Sequence, residues 1–301
     1  MSGQLAMSDL TGRLIDQRRD HSKYVVQVAV YETDHSSWIA TAGWDATIHL
    51  YNLDENDNEG TPRLGTPAAM LKLQTIPESL LFVRHPESGQ PVLVVTRRDS
   101  TNLHYYSVDT DMRLLGKQNL APHAISWNAF TPSSIAVCPT DDTLIAVATS
   151  TIPHMKLLIA RLLVPPYSSG ESTTSPTSTL DRADESAPTA ASQARAALIL
   201  QDREAAAIQI QCSTLAPQTQ YSTPALAWRP DGSGVWVNSD DGVIRGIEAD
   251  SGKIVATLKG HDPGSKIRCL CAGWIDVGDQ RQEWMVSGGF DQKLIVWKPD
   301  K

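Results

Sequence analysis

Two stretches near opposite ends of the chain are written to one pattern. "IATAGWDATIHLYNL" starts at Ile39 and "MVSGGFDQKLIVW" starts at Met285. Each runs through a small hydroxyl residue, a glycine, an aromatic and an aspartate, then an alternating apolar strand that ends on an aromatic. Thr41, Asp45 and Tyr51 are spaced by 4 and 6 residues, and Ser287, Asp291 and Trp297 repeat those offsets. A pattern repeated so far apart marks a chain assembled from like units, each burying its apolar face against a neighbour. That constraint outranks anything composition can say.

The stretches between the two copies support this reading. Short β-branched or aromatic runs dominate, such as "KYVVQVAVY", "PVLVVTRR", "NLHYYSV", "LIAVATS", "GVWVNS" and "KIVATL", and Asp, Gly, Pro and Ser separate them. Few segments carry a 3.6-residue apolar period, so the chain is expected to be all-β. Grouped, the runs give five units of three close strands, with a fourth after a turn in the first, second and fourth units. They begin at about Tyr24, Ser79, Ser134, Ala225 and Ile267. Four strands per ~40–50 residues is the rhythm of a β-propeller blade. Residues 165–195, rich in Ser, Thr, Pro and Ala, read as a disordered insertion within a single domain of residues 1–301. Ser175-Pro176 makes Ser175 the candidate phosphorylation site there. The following "AALILQDREAAAIQIQC" fits either a hairpin around Asp202–Glu204 or a helix from about Ala190 to Ala207, with a strand over Ala207–Cys212.

The repeated residues resemble WD40 repeats. The last unit fits best, with Gly260-His261 ahead of Ser287, Asp291 and Trp297. The resemblance implies a hydrogen-bonded relay in which His261 meets Asp291 and Ser287, and Ser287 takes the Trp297 indole N–H. The first unit would repeat it with His21, Thr41, Asp45 and Tyr51, a phenol standing in for the indole. The middle units depart: the second has Asp99 but Ile76-Pro77 in place of Gly-His, the third lacks the aspartate, and the fourth keeps Asp241-Gly242 with Val237 and Ile247 at the Ser and Trp places. Residues 4–17 align with the end of a unit, so Gln4–Asp9 and Arg13–Gln17 read as the outer half of a blade. Two readings follow from the resemblance: the N-terminal strands pair with the last unit and close a small or irregular ring, or, the reading preferred, the chain holds five units and a half blade of a truncated seven-bladed propeller.

Composition narrows the function. With 26 Lys+Arg against 34 Asp+Glu, a net charge of −8 argues against a broad nucleic-acid or anionic-membrane footprint. No apolar run reaches 18 residues, and the first residues do not form a secretory signal. Four cysteines are too few for a disulfide scaffold, which points to cytoplasm or nucleus. There is no GxGxxG, GxxxxGK[ST], HExxH, GxSxG or CxxC, and the expected innermost strands are nearly all apolar. No cofactor and no metal are expected, and an enzyme working at the channel mouth is the weaker alternative. What remains is a non-catalytic scaffold or adaptor that binds proteins or peptides through turns on a rigid disc. Trp44, Arg97, Arg98 and Phe290 are the candidate contacts, since each lies in or next to a turn between the second and third strands. Arg97-Arg98 lacks the following glycine of phosphoinositide-binding propellers. The Trp-Asp-x-Arg motif of many ubiquitin-ligase receptors is also missing, although a subunit role in a ligase or chromatin complex stays an alternative.

Overall fold

Tight hairpins set the architecture. In the turn after Gly43 the chain runs through Trp44 and Asp45 to Ala46, whose φ is +58°, and the Ala46 N–H returns to the Gly43 carbonyl. Gln292 (φ +61°) and Gly242 (φ +81°) take the same left-handed place in two other hairpins. Only Gly242 occupies that region without steric cost; the other two are held there by the strands they join.

The computed structural model describes residues 3–33, 36–53, 63–123, 130–166, 190–278 and 280–298. They form an all-β, five-bladed β-propeller with one helix. A short antiparallel pair comes first, β1 (Leu5–Ser8) and β2 (Leu14–Arg18). Blade 1 is β3 (Val25–Thr33), β4 (Ser36–Gly43), β5 (Thr47–Asn52) and β6 (Ala69–Lys72). Blade 2 is β7 (Pro77–Arg84), β8 (Pro91–Arg97), β9 (Asn102–Ser107) and β10 (Leu114–Asn119). Blade 3 is β11 (Thr131–Cys138), β12 (Asp141–Ser150), β13 (His154–Arg161) and, after α1 (Ala190–Ala207), β14 (Ile208–Pro217). Blade 4 is β15 (Leu226–Trp228), β16 (Gly234–Val237), β17 (Val243–Glu248) and β18 (Ile254–Lys259). Blade 5 has three strands, β19 (Ile267–Val277), β20 (Gln280–Gly289) and β21 (Leu294–Trp297).

The core lies between blades. Ile48 and Leu50 of blade 1 pack with Leu80 and Phe82 of blade 2, and Val92 and Leu103 of blade 2 pack with Ile135 and Ile145 of blade 3. Leu157 and Ile159 meet Trp228 and Val235 between blades 3 and 4, and Ile244 meets Ile267 and Met285 between blades 4 and 5. Each fully buried Leu or Ile contributes roughly 1.5–3 kcal/mol relative to exposure. Leu5 and Met7 of β1 lie against Ile39, Tyr51 and Leu64 of blade 1.

The described residues build five blades, matching the five units expected, and the strands expected at Gln4–Asp9 and Arg13–Gln17 are present as the antiparallel pair β1–β2. One expectation is corrected. Residues 190–195, assigned to the insertion, are the first turns of α1, because the alanine-rich composition favours helix once the strand after it is anchored in blade 3. The helical alternative for that segment is therefore the one taken, and Ile208–Pro217 becomes the fourth strand that the third unit lacked. Ser175 and the remainder of the insertion up to 189 lie outside the described residues, apart from 165–166.

Candidate functional site

In blade 5, β20, β21, the turn between them and the loop before β19 bring four side chains into a line. His261 Nδ1 lies 2.9 Å from Asp291 Oδ2, His261 Nε2 lies 2.8 Å from Ser287 Oγ, and the Trp297 indole N–H reaches Ser287 Oγ at 2.9 Å. An indole can only donate and a carboxylate can only accept. The bonds therefore run in one direction, from Trp297 to Ser287 to His261 to Asp291. His261 and Ser287 are buried, so a line with every donor satisfied ties the turn to β20, β21 and the loop before the blade. Burial opposes the Asp291 charge, but bonds from the Asp262 N–H, His261 and the Lys293 N–H outweigh it and hold its pKa below the usual carboxylate range.

Blade 1 repeats this with a branch. His21 Nδ1 is 3.1 Å from Asp45 Oδ1, and Nε2 is 2.9 Å from Thr41 Oγ1. The Ser22 N–H and the Thr47 hydroxyl also donate to Asp45, at 2.7 and 2.6 Å. Desolvation works against its charge, yet Thr47, His21 and Ser22 hold its pKa well below normal. The Tyr51 hydroxyl gives its proton to Asp20 Oδ2 at 2.9 Å while remaining bonded to Thr41. Burial, and then Asp20, push the phenol's pKa up. Sequence reasoning missed Asp20: the repeat pattern makes Tyr51 a donor to Thr41, and nothing local shows that its one proton goes to Asp20 instead.

Gly43 and Gly289 explain why this place tolerates no side chain in these blades. A Cβ on Gly43 would collide with His21 Nδ1, and one on Gly289 would lie 2.8 Å from His261 Nδ1. Blade 2 has no such histidine, and Arg97 stands at the matching position. Of the four proposed contacts, Arg97 is the one the structure turns inward. It is half-buried, and its Nη2 lies 2.9 Å from Nε2 of the buried His104. Burial, then the charges of Arg97 and Lys117, lower the His104 pKa to about 4.

The other three come to one structural position. The backbone N–H of Trp44 bonds the Tyr24 carbonyl, that of Arg98 the Ile76 carbonyl, and that of Phe290 the Lys266 carbonyl, each at 2.9 Å. In blade 4 the Asp240 N–H instead bonds the carbonyl of Pro217, the last residue of β14 in blade 3, at 3.2 Å. The first residue of the second-to-third-strand turn is thus fixed in the same way in blades 1, 2 and 5, all on one rim. Trp44 is 46% exposed and Phe290 64%, so both rings can be reached by a partner. Tyr24 stands edge-on to Trp44 with ring centroids 5.1 Å apart, and the Arg268 guanidinium lies 4.4 Å from the Phe290 centroid. Arg98 pairs with Glu78 at 2.6 Å, and Asp240 pairs with Lys266 at 2.9 Å. Tyr24 and Lys266, just before β3 and β19, and Glu78 and Arg268, near the starts of β7 and β19, brace the tips, a role that no local pattern in the sequence announces.

A family model described as "UCP007778, beta-propeller domain" matches residues 1–298. No curated protein matches the chain. Among solved structures, the chain is similar to the computationally designed Ika8 protein, with a TM-score of 0.49 and 15% identity, over 99% of this chain and 66% of that one. The chain thus spans a little under two thirds of that protein's length.

Proposed function

The chain belongs to this β-propeller family, UCP007778, and on that premise we propose that it is a WD40-type, non-catalytic scaffold that binds protein or peptide partners through the turn rim. One observation carries the reading. Trp44, Arg98 and Phe290 occupy one backbone-fixed position in three blades, and the two aromatic rings are exposed and braced. A side chain held by its backbone and a neighbouring ring loses little entropy on contact, and aromatic and arginine side chains are the usual energetic anchors of interfaces. The relays of blades 1 and 5 support the WD40 assignment, because they join the residue types of that repeat in its order.

The finer, seven-bladed form belongs to the same proposal, with β1 and β2 as the outer half of a further blade. The packing of Leu5 and Met7 on the side of blade 1 away from blade 2 favours it. Work within a multi-subunit complex in cytoplasm or nucleus, without nucleic acid or membrane, completes the reading.

The test is affinity purification of the endogenously tagged protein with quantitative mass spectrometry, beside a Trp44→Ala, Phe290→Ala variant at equal expression. A defined partner set lost in the variant is expected. A folded variant that keeps every partner would remove the rim from the proposal, and no partner above background would remove the scaffold reading itself.

A further inference from the structure

Charge is divided between the two rims of the propeller. The turns between second and third strands share one rim with the links that enter each blade, and the remaining hairpins lie on the other. On that other rim Glu32, Glu87, Asp111, Asp142, Asp250 and Asp276 have no ion-pair partner among the described residues. The turn rim is the reverse. Its carboxylates are matched, Glu78 by Arg98, Asp240 by Lys266 and Asp262 by Lys293, while Asp45 and Asp291 belong to the relays. Arg19, Lys23, Lys72, Lys259 and Arg268 are left there without a carboxylate, against Asp99 alone among the described acids. Residues 124–129 of this rim, AISWNA, carry no charge. The rim surplus is therefore positive, although the chain as a whole carries −8.

Two of these cations stand beside the exposed rings. Lys72 Nζ donates to the Asp45 carbonyl at 2.5 Å, which holds the ammonium one residue from Trp44 and leaves two of its three N–H bonds unused. The Arg268 guanidinium lies over Phe290 and bonds the Thr223 hydroxyl through Nη1. Its Nε and Nη2 bond nothing among the described residues, and together they form the fork that takes a carboxylate by two parallel bonds. An apolar anchor with an unsatisfied cation next to it thus occurs in blade 1 and again in blade 5.

This inference rests on the rim reading proposed above and names the partner's chemistry. We infer that the segment bound by the turn rim is an acidic peptide. An apolar side chain covers the ring, and a neighbouring carboxylate takes the cation, Lys72 at Trp44 or Arg268 at Phe290. Attraction at this rim and repulsion at the other steer such a peptide to one side of the disc, and the preference weakens with salt. A nucleic acid needs a continuous basic track for its phosphates, and here Asp240 and Asp262 interrupt it.

The probe is a displayed library of random peptides, selected against the full chain and compared with the unselected library. Enrichment of Asp and Glu beside aromatic or aliphatic residues is expected. Selected peptides should bind at least tenfold more weakly to Lys72→Gln, Arg268→Gln and more weakly as salt is raised. Circular dichroism and a melting curve check that the variant is folded. The Lys72→Glu, Arg268→Glu variant should in turn bind the same peptides with their acids changed to lysine. Glu87→Lys, Asp142→Lys, on the other rim, should leave affinity within twofold of the parent. Peptides without acidic enrichment that Trp44→Ala, Phe290→Ala still abolishes would overturn this inference and leave the scaffold reading standing. Acidic peptides whose binding survives loss of the rings or of the two cations would overturn it as well. So would a parent that retains no peptide while affinity purification still captures partners. Displacement of the peptides by a single-stranded oligonucleotide bound more tightly at the same residues would make nucleic acid the ligand, and that also overturns it.

Discussion

At the scale of single residues, the relays are where stability and pH meet. Ser287 is the one group in blade 5 that both accepts from Trp297 and donates to His261. Ser287→Ala should cost about 1–3 kcal/mol in urea unfolding, because it strands a half-buried indole N–H and a buried imidazole nitrogen. His104 gives a pH signature. Its folded pKa lies near 4, below the unfolded value of about 6.5, so the unfolded chain binds more protons between those values. Its contribution is complete above pH ~6.5 and is lost as pH falls towards 4. His104→Gln should flatten that part of the stability–pH curve by no more than about 3 kcal/mol. Asp45 acts lower on the scale. Its folded pKa is depressed, so its contribution is complete above the unfolded value near 3.9 and disappears as pH drops further. Asp45→Asn should weaken the protein at neutral pH and make its acid unfolding below pH 4 shallower.

At the scale of elements, the second-to-third-strand hairpin is the unit that varies while the sheet stays the same. In blades 1 and 5 a glycine makes room for a histidine ring, and in blade 2 an arginine fills the space instead. Gly43→Ala should therefore destabilise blade 1 by about 1–3 kcal/mol, since the new methyl has to displace His21 or Asp45. Comparing urea midpoints of Gly43→Ala and Gly242→Ala separates the causes. The first meets a side-chain ring, while the second meets the Asp262 backbone and must also hold φ at +81°. Helix α1 is an element of another kind. Leu198, Ile199 and Leu200 are exposed, and it is attached to the blades through buried Glu204, which accepts from the Asn119 N–H at 2.7 Å.

At the scale of the whole molecule, two apolar surfaces lack the cover that their counterparts have. Val28 and Val30 of β3 are 44% and 61% exposed, where Leu80 and Phe82 in blade 2 are 2% and 9%. With the outer face of blade 5, where Leu294 is 72% and Val296 45% exposed, they predict a tendency to associate at high concentration. Light scattering of the parent against Leu294→Lys, Val296→Lys should show it reduced in the variant. Much of the fold was legible beforehand. Alternation, Asp-Gly turns and the 4-and-6 spacing are local, and they located almost every strand and grouped the five units. The same spacing named both relays and the equivalence of Trp44 with Phe290. The strand at Ala207–Cys212 was legible, but its place as the fourth of blade 3 was not, because its partner β13 is separated from it by the insertion and α1. The inward turn of Arg97, the brace of Arg268 on Phe290 and the uncovered face of blade 5 depend on residues distant in sequence. Periodicity records which side chains share a face, and that is a property of the sequence alone. What lies against that face is decided by packing between blades, and only the tertiary structure holds it.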